Sequence, residues 1–393
     1  MNILPWGTDV ELTENQFYNR SNDISFLKSL LETTSQGSAP SLMITGRRGV
    51  GKTVLLKKLK QLLDDEYFVC YFDLSQCIDY KNGKITEFAI FEKLFKTIIK
   101  ESNKKGFLSI DKKINKFLKT NDFELQGLDE FMGVPIPIFS SSENYVKLME
   151  YVLDLFQVIY EEQDIKGSIV IFDEFQVLRD LDSRLNNFLW YIRSVVQSQK
   201  NVAYVFSGSL SIQDDLIDKI AGKKGAFGGR ILSFDIQPFS KETTQSYLET
   251  KVPELKFNED GFNRFYKCTQ GIPFYINTFA NFLPHNTELD DENIKINFNS
   301  ALPFLAIHLS NQWSRLTFQE QKIIVAILEC NLRRKDIANE LNVESGSLSN
   351  SLNNLIKLGL IVSNNGTYEI VESIFKAWLK REFDNNGFYP FRM

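Results

Sequence analysis

Eight consecutive residues carry the clearest chemistry in the chain: Gly46-Arg47-Arg48-Gly49-Val50-Gly51-Lys52-Thr53, a fit to G-x-x-x-x-G-K-[ST]. Glycines at these places let the backbone curl so that successive N–H groups face an anion, and a helix starting at the lysine adds its positive end. Such a loop grips a polyphosphate, with Lys52 on the terminal phosphates and the Thr53 hydroxyl on a magnesium ion. Contacts to the ligand are expected from Gly46, Arg47, Arg48, Gly49, Val50, Gly51, Lys52, Thr53 and Val54. A second group follows an apolar run, Ile169-Val170-Ile171-Phe172-Asp173-Glu174. Carboxylates at the C-terminal end of a strand face the ligand crevice of an open α/β sheet. Asp173 is therefore expected to hold magnesium through water, and Glu174 to orient or deprotonate an attacking water. Phe206-Ser207-Gly208-Ser209 ends another apolar run, and Ser209 is placed to sense the terminal phosphate or the water. Gly228-Gly229-Arg230 precedes a further strand; Arg230 is read either as a stabiliser of charge on the transferred phosphoryl, in cis or from a neighbouring subunit, or as a surface arginine.

These groups need a scaffold that brings strand ends together. Residues 41–45, 67–74, 168–172, 202–206 and 231–236 read as strands, and helical periods separate most of them, as after Thr53 and over 88–100. Alternation of this kind implies a parallel sheet covered on both faces. The fold class is therefore α/β, with a parallel-sheet core that carries the phosphate-binding loop and resembles an AAA-like P-loop NTPase. The irregular piece 123–131 reads as a hairpin. After Pro238 helical patterns take over, giving an expected core at 1–238, a helical lid at 239–312 and a separate winged-helix domain at 313–393. That last segment reads as helices from Thr317 to about 329, at 335–341 and at 345–358, then two strands around Asn364-Asn365-Gly366. On this reading Ser347, Asn350, Ser351, Asn354 and Lys357 of the third helix meet bases of duplex DNA, and Arg333, Arg334 and Lys335 meet phosphates. Protein contact or internal packing is the other reading, because residues 311–393 hold ten Lys and Arg against nine Asp and Glu. Phe375, Trp378 and Leu379 form an apolar stripe expected to pack on the lid.

Composition narrows the classes further. In 393 residues, 43% are hydrophobic and 33 are Phe, enough for a large core in two or three domains. The net charge of −5 argues against a dedicated nucleic-acid coat protein, so any DNA contact is local. Cys70, Cys77, Cys268 and Cys330 show no CxxC spacing and only two histidines accompany them, which disfavours a zinc site or disulfide framework. No apolar run spans a bilayer and no leader pattern opens the chain, so a cytoplasmic location and no membrane partner are expected.

The motifs together resemble the archaeal ATPase family, relatives of the AAA+ and STAND NTPases and of origin-recognition ATPases. The matching stretches are Tyr18-Asn19-Arg20, GRRGVGKT, IFDEFQ at 171–176, FSGS at 206–209, GGR at 228–230, Gly271-Ile272-Pro273 and YEIVESIFKAWL at 368–379. The resemblance implies ATP and Mg2+ as ligands, Asn19 and Arg20 near adenine, and Pro273 of the lid against the nucleotide, so that hydrolysis or exchange shifts the lid. Adenine is also favoured because no N-K-x-D stretch for reading guanine is present. A slow Mg-ATP-hydrolysing switch follows as the expected function, with duplex DNA or a further copy of the chain as partners. The alternative is an ATP-bound interaction scaffold with little turnover. A small-molecule phosphotransferase is disfavoured, since no acceptor pocket with a base is evident.

Overall fold

A computed structural model describes residues 4, 18–77, 85–107, 125–131, 134–139, 145–209, 215–223 and 225–391. The chain divides into two compact units. One comprises Arg20–Gly46 and Lys52–Ile236; the other comprises Met1–Asn19, Arg47–Gly51 and Gln237–Met393.

The first unit is built on strands β1 (Ser41–Thr45) and β2 (Phe68–Asp73), a hairpin of β3 (Leu125–Phe131) and β4 (Val134–Phe139), and then β5 (Ser168–Asp173), β6 (Val202–Ser207) and β7 (Leu232–Asp235). Five of them form one all-parallel sheet in the order β2-β5-β6-β1-β7. Every residue of β5 and β6 is buried, the near-continuous apolar pattern of strands covered on both faces. Phe172 stacks on Phe206 with ring centroids 5.7 Å apart, and the helices Glu87–Lys104 and Tyr145–Glu162 add Leu94, Phe95, Val152 and Phe156 to the same core. Thr86 caps the first of these helices, accepting from Ala89 N at 3.2 Å.

The second unit is mostly helical. Its helices begin where the sequence supplies caps: Ser240 accepts from Thr243 N, Asn258 from Gly261 N, Asp290 and Asn293 form a capping box, and Pro273 opens its helix at the first turn. Short strands β8 (Lys256–Phe257) and β9 (Glu288–Leu289) pair in parallel. Towards the C-terminus come the helices Phe318–Ala326, Arg334–Leu341, Ser349–Lys357 and Ser373–Asn386, with β10 (Leu332–Arg333), β11 (Ile361–Asn364) and β12 (Thr367–Ile370).

Several local expectations change. The hairpin pairs Leu125–Phe131 with Val134–Phe139, so its second strand lies beyond the stretch 123–131, whose first two residues are outside the described ones. The helix expected over 345–358 opens as a 3-10 turn, Ser345–Leu348, where serines and Gly346 favour local bonds over helix. The expected two-stranded wing is three-stranded in the order β10-β12-β11. Buried residues from 239–312 and from 313–393 join in one hydrophobic cluster. Trp313 meets Phe375 and Trp378, Phe375 stacks on Trp378 at 5.9 Å, and the helix Ser373–Asn386 packs on the helices Glu259–Thr269 and Asp291–Leu305, as expected of the apolar stripe.

Candidate functional site

In the first unit, β1 runs out at Thr45, whose hydroxyl donates to Asp235 Oδ1 at the tip of β7, 2.6 Å away. Gly46 then takes a φ of 142°, a value open to glycine, and the helix Lys52–Leu63 starts on the lysine itself. Lys52 is 6% exposed, and its ammonium donates to Gly46 O at 2.9 Å and Ser209 Oγ at 3.1 Å. One residue further, Thr53 Oγ1 donates to Asp173 Oδ2 at 2.7 Å. Asp173 is buried at the tip of β5, two strands from β1 in the sheet order, and Tyr71 OH of the neighbouring β2 donates to the same oxygen at 2.7 Å. Burial, followed by the Asp173 charge, pushes the Tyr71 phenol well above its ordinary range, so it stays a donor. Asp173 Oδ1 accepts from Glu174 N at 2.9 Å, which holds both carboxylate oxygens in place.

Glu174 adopts a left-handed backbone, φ 55°, an uncommon conformation for a side-chain-bearing residue and a frequent one where function holds it. Its carboxylate accepts from Gln176 Nε2, and Gln176 Oε1 accepts from Ser209 N at 3.1 Å. Gln176 thus bridges the acid and the serine. The structure brings Lys52, Thr53, Asp173, Glu174 and Ser209 to one edge of the sheet, the C-terminal ends of parallel strands, where ligands bind in open α/β folds.

Arg230 is elsewhere. It precedes β7, and Leu232 is in register with Leu42 near the start of β1, so Arg230 stands at the opposite edge of the sheet. Three residues of strand rise span about 10 Å, which removes action in cis on a phosphate at Lys52. With its amide oxygen turned towards them, Gln197 accepts from Arg230 Nη1 at 2.9 Å and Arg193 Nε at 3.1 Å. A cavity of about 500 Å³ beside it is lined by Pro40, Gln197, Lys200 and Arg230 among others. Arg20 opens the helix Ser21–Glu32 and pairs with Asp23 at 3.2 Å; its pKa is lowered by burial, against the effect of that pairing. Val54 is half-buried on the helix after Lys52.

In the second unit, Arg47 and Arg48 are exposed and Val50 is buried. Arg47 Nη1 donates to Gln270 Oε1 at 2.8 Å, and Phe274 N donates to Gly49 O at 3.2 Å. A Cβ on Gly49, φ 78°, would sit 2.7 Å from Phe274 Cβ, so only glycine fits there. Asn19 also has a left-handed backbone and donates to Thr243 Oγ1 at 3.4 Å, while Pro273 opens the helix Pro273–Ala280. Near the C-terminus Arg333 and Lys335 are exposed, and Arg334 donates to Ser345 and Ser349 at 3.2 and 2.9 Å. Ser347 and Asn350 are exposed. Ser351 and Asn354 instead donate to Gln319 and Glu320 of the helix Phe318–Ala326, at 3.2 and 2.6 Å. Those two side chains are engaged within the module rather than held out for bases. The side chain of Lys357 lies outside the described residues.

A parallel sheet whose β1 leads through a glycine-bearing loop to a lysine-started helix, with an acid at the tip of β5, defines a P-loop NTPase fold. The chain belongs to the archaeal ATPase family: the family model for an ATPase domain predominantly from Archaea matches residues 17–279. Among solved structures, the Walker-type ATPase PABY2304 of Pyrococcus abyssi is similar at 20% identity with a TM-score of 0.64, over 96% of this chain and 99% of that one. The ORC2 protein of Aeropyrum pernix, solved in ADPNP-ADP complexes, is similar at 13% identity with a TM-score of 0.52, over 94% of each chain. A comparison with curated proteins gives no match. Among the described residues, no helix is long and apolar enough to cross a membrane.

Proposed function

We propose that the chain binds Mg-ATP at the Lys52 loop and hydrolyses it slowly, as a nucleotide-dependent switch. The observation that carries this is the convergence on the sheet edge: a buried ammonium at Ser209, and a hydroxyl and a carboxylate 2.7 Å apart at Thr53 and Asp173. Among the described residues no group of three or more His, Cys, Asp or Glu could hold a metal by itself. A magnesium ion here would rest on Thr53, on Asp173 through water, and on phosphate oxygens, the sparse protein ligation this ion accepts. When bound, that ion neutralises phosphate charge. The residues of the chain do the rest: Lys52 holds the terminal phosphates, Glu174 orients and deprotonates water, Ser209 reports the terminal phosphate, and Gln176 keeps Glu174 and Ser209 in step. Asn19 and Arg20 read the base and Pro273 meets the nucleotide. Arg230, remote in its own chain, serves a neighbouring copy.

Glu174→Gln separates the switch from a passive ATP-bound scaffold. Calorimetry is expected to give wild-type-like Mg-ATP binding for this variant and none for Lys52→Ala, while turnover of Glu174→Gln falls about 100-fold or more. Equal turnover in wild type and Glu174→Gln would favour the scaffold.

A further inference from the structure

Glu372 has no part in the chemistry above, yet it is 9% exposed and carries a carboxylate. It precedes the helix Ser373–Asn386 without capping it by its side chain. Instead Tyr275 OH donates to Glu372 Oε2 at 3.0 Å. Taking a carboxylate out of water is costly, and an apolar pair of similar size would serve folding at least as well. Burial pushes the Glu372 carboxyl up; the Tyr275 bond and the charges of Arg47 and Arg48 draw it back.

The same short stretch of lid touches that loop directly. Gln270 accepts from Arg47, Phe274 donates to Gly49 O, and Gly49 leaves no room for a Cβ against Phe274. Phe274 and Tyr275 are adjacent in the chain, so one residue holds the loop and the next holds Glu372. All of these residues lie within one compact unit.

We propose that Tyr275 and Glu372 are a positioning pair that couples the phosphate loop to the C-terminal module, with Glu372 stabilising the Arg47–Arg48 segment in the empty loop and opposing the arrival of a polyphosphate. The inference rests on the nucleotide reading above. Two anions drawing on the same arginines disfavour one another, and by linkage an occupied loop loosens the hold on Glu372 as much as Glu372 loosens the hold on the ligand.

The test uses the full chain and Mg-ADP, read by calorimetry and by hydrogen exchange over residues 373–386. Glu372→Gln keeps the size and the acceptor for Tyr275 but drops the charge; it is expected to bind ADP about 5-fold tighter or more, within the usual range of coupling. In wild type, ADP is expected to raise exchange at the start of the helix Ser373–Asn386, and in Glu372→Gln that rise shrinks. Tyr275→Phe keeps the ring, removes the bond and should also tighten binding, so a failure of one variant to fold leaves the other decisive. A merely structural pair would lower the melting temperature and leave ADP affinity unchanged or weaker. Wild type that binds ADP while both variants match it or bind more weakly overturns this inference alone; wild type that takes up no ADP overturns the nucleotide reading with it.

Discussion

Tyr71 sits in an apolar strand and belongs to no motif, yet its hydroxyl and that of Thr53 share one oxygen of Asp173. With Glu174 N on the other oxygen, the carboxylate has little freedom to rotate. Replacing Tyr71 by Phe keeps the packing and the Asp173 charge but frees that rotation. The magnesium requirement for ATP turnover is expected to rise about 10-fold, the usual cost of losing a group that orients a metal-binding side chain. ATP binding measured without divalent metal should not change; a loss there would mean that Tyr71 acts on the nucleotide or on folding. Lys52, Thr53 and Asp173 were legible because a contiguous motif and a strand end announce them. Tyr71, Gln176 and Asp235 were not, since each meets its partner through sheet register or a turn, and a tyrosine in YFVCYFDL reads as core. Arg230 was legible in part. A residue just before a parallel strand belongs to the N-terminal edge, a constraint that the reading of Arg230 as acting in cis or in trans did not apply.

At the scale of elements, the apolar runs marked every strand of the central sheet to within a residue or two. Their order was out of reach, because strands buried on both faces carry no pattern that names a neighbour. The two-residue strand β10 is too short to give a periodic signal. The lid turn at Gly271-Ile272-Pro273 was visible as punctuation, and the structure supplies its reason. Gly271 has φ 70°, its carbonyl accepts from Phe239 N at 2.8 Å, and a Cβ there would sit 2.0 Å from Phe239 O. Gly271→Ala therefore combines a left-handed backbone with a backbone clash. A stability loss of at least about 2 kcal/mol is expected in denaturant unfolding. Gly51→Ala has the positive φ but nothing within 4 Å of the added Cβ, and should cost about 1 kcal/mol. Equal losses for the two would mean that the contact with Phe239 relaxes freely.

The whole chain carries a net charge of −5, and what the C-terminal module offers DNA must be weighed against that field. The sequence alone gave the third helix five candidate base contacts. Two of these, Ser351 and Asn354, are engaged by Gln319 and Glu320, and Arg334 is drawn to Ser345 and Ser349. Exposed Arg333, Lys335 and Asn350 remain beside it, a small surface suited to phosphates more than to reading bases. If duplex DNA is the partner, affinity over a salt series is expected to fall with a log–log slope of about −2, since the two phosphates neutralised by Arg333 and Lys335 contribute about −0.9 each. Arg333→Ala should flatten that slope by about 1, and Asn354→Ala should leave any preference among duplex sequences untouched. A slope of about −6 or steeper would require a basic surface beyond this module, and a change of sequence preference in Asn354→Ala would mean that the bond to Glu320 opens on DNA. An absence of binding at low salt would remove DNA as the partner and leave the module to protein contacts and to its packing against the lid.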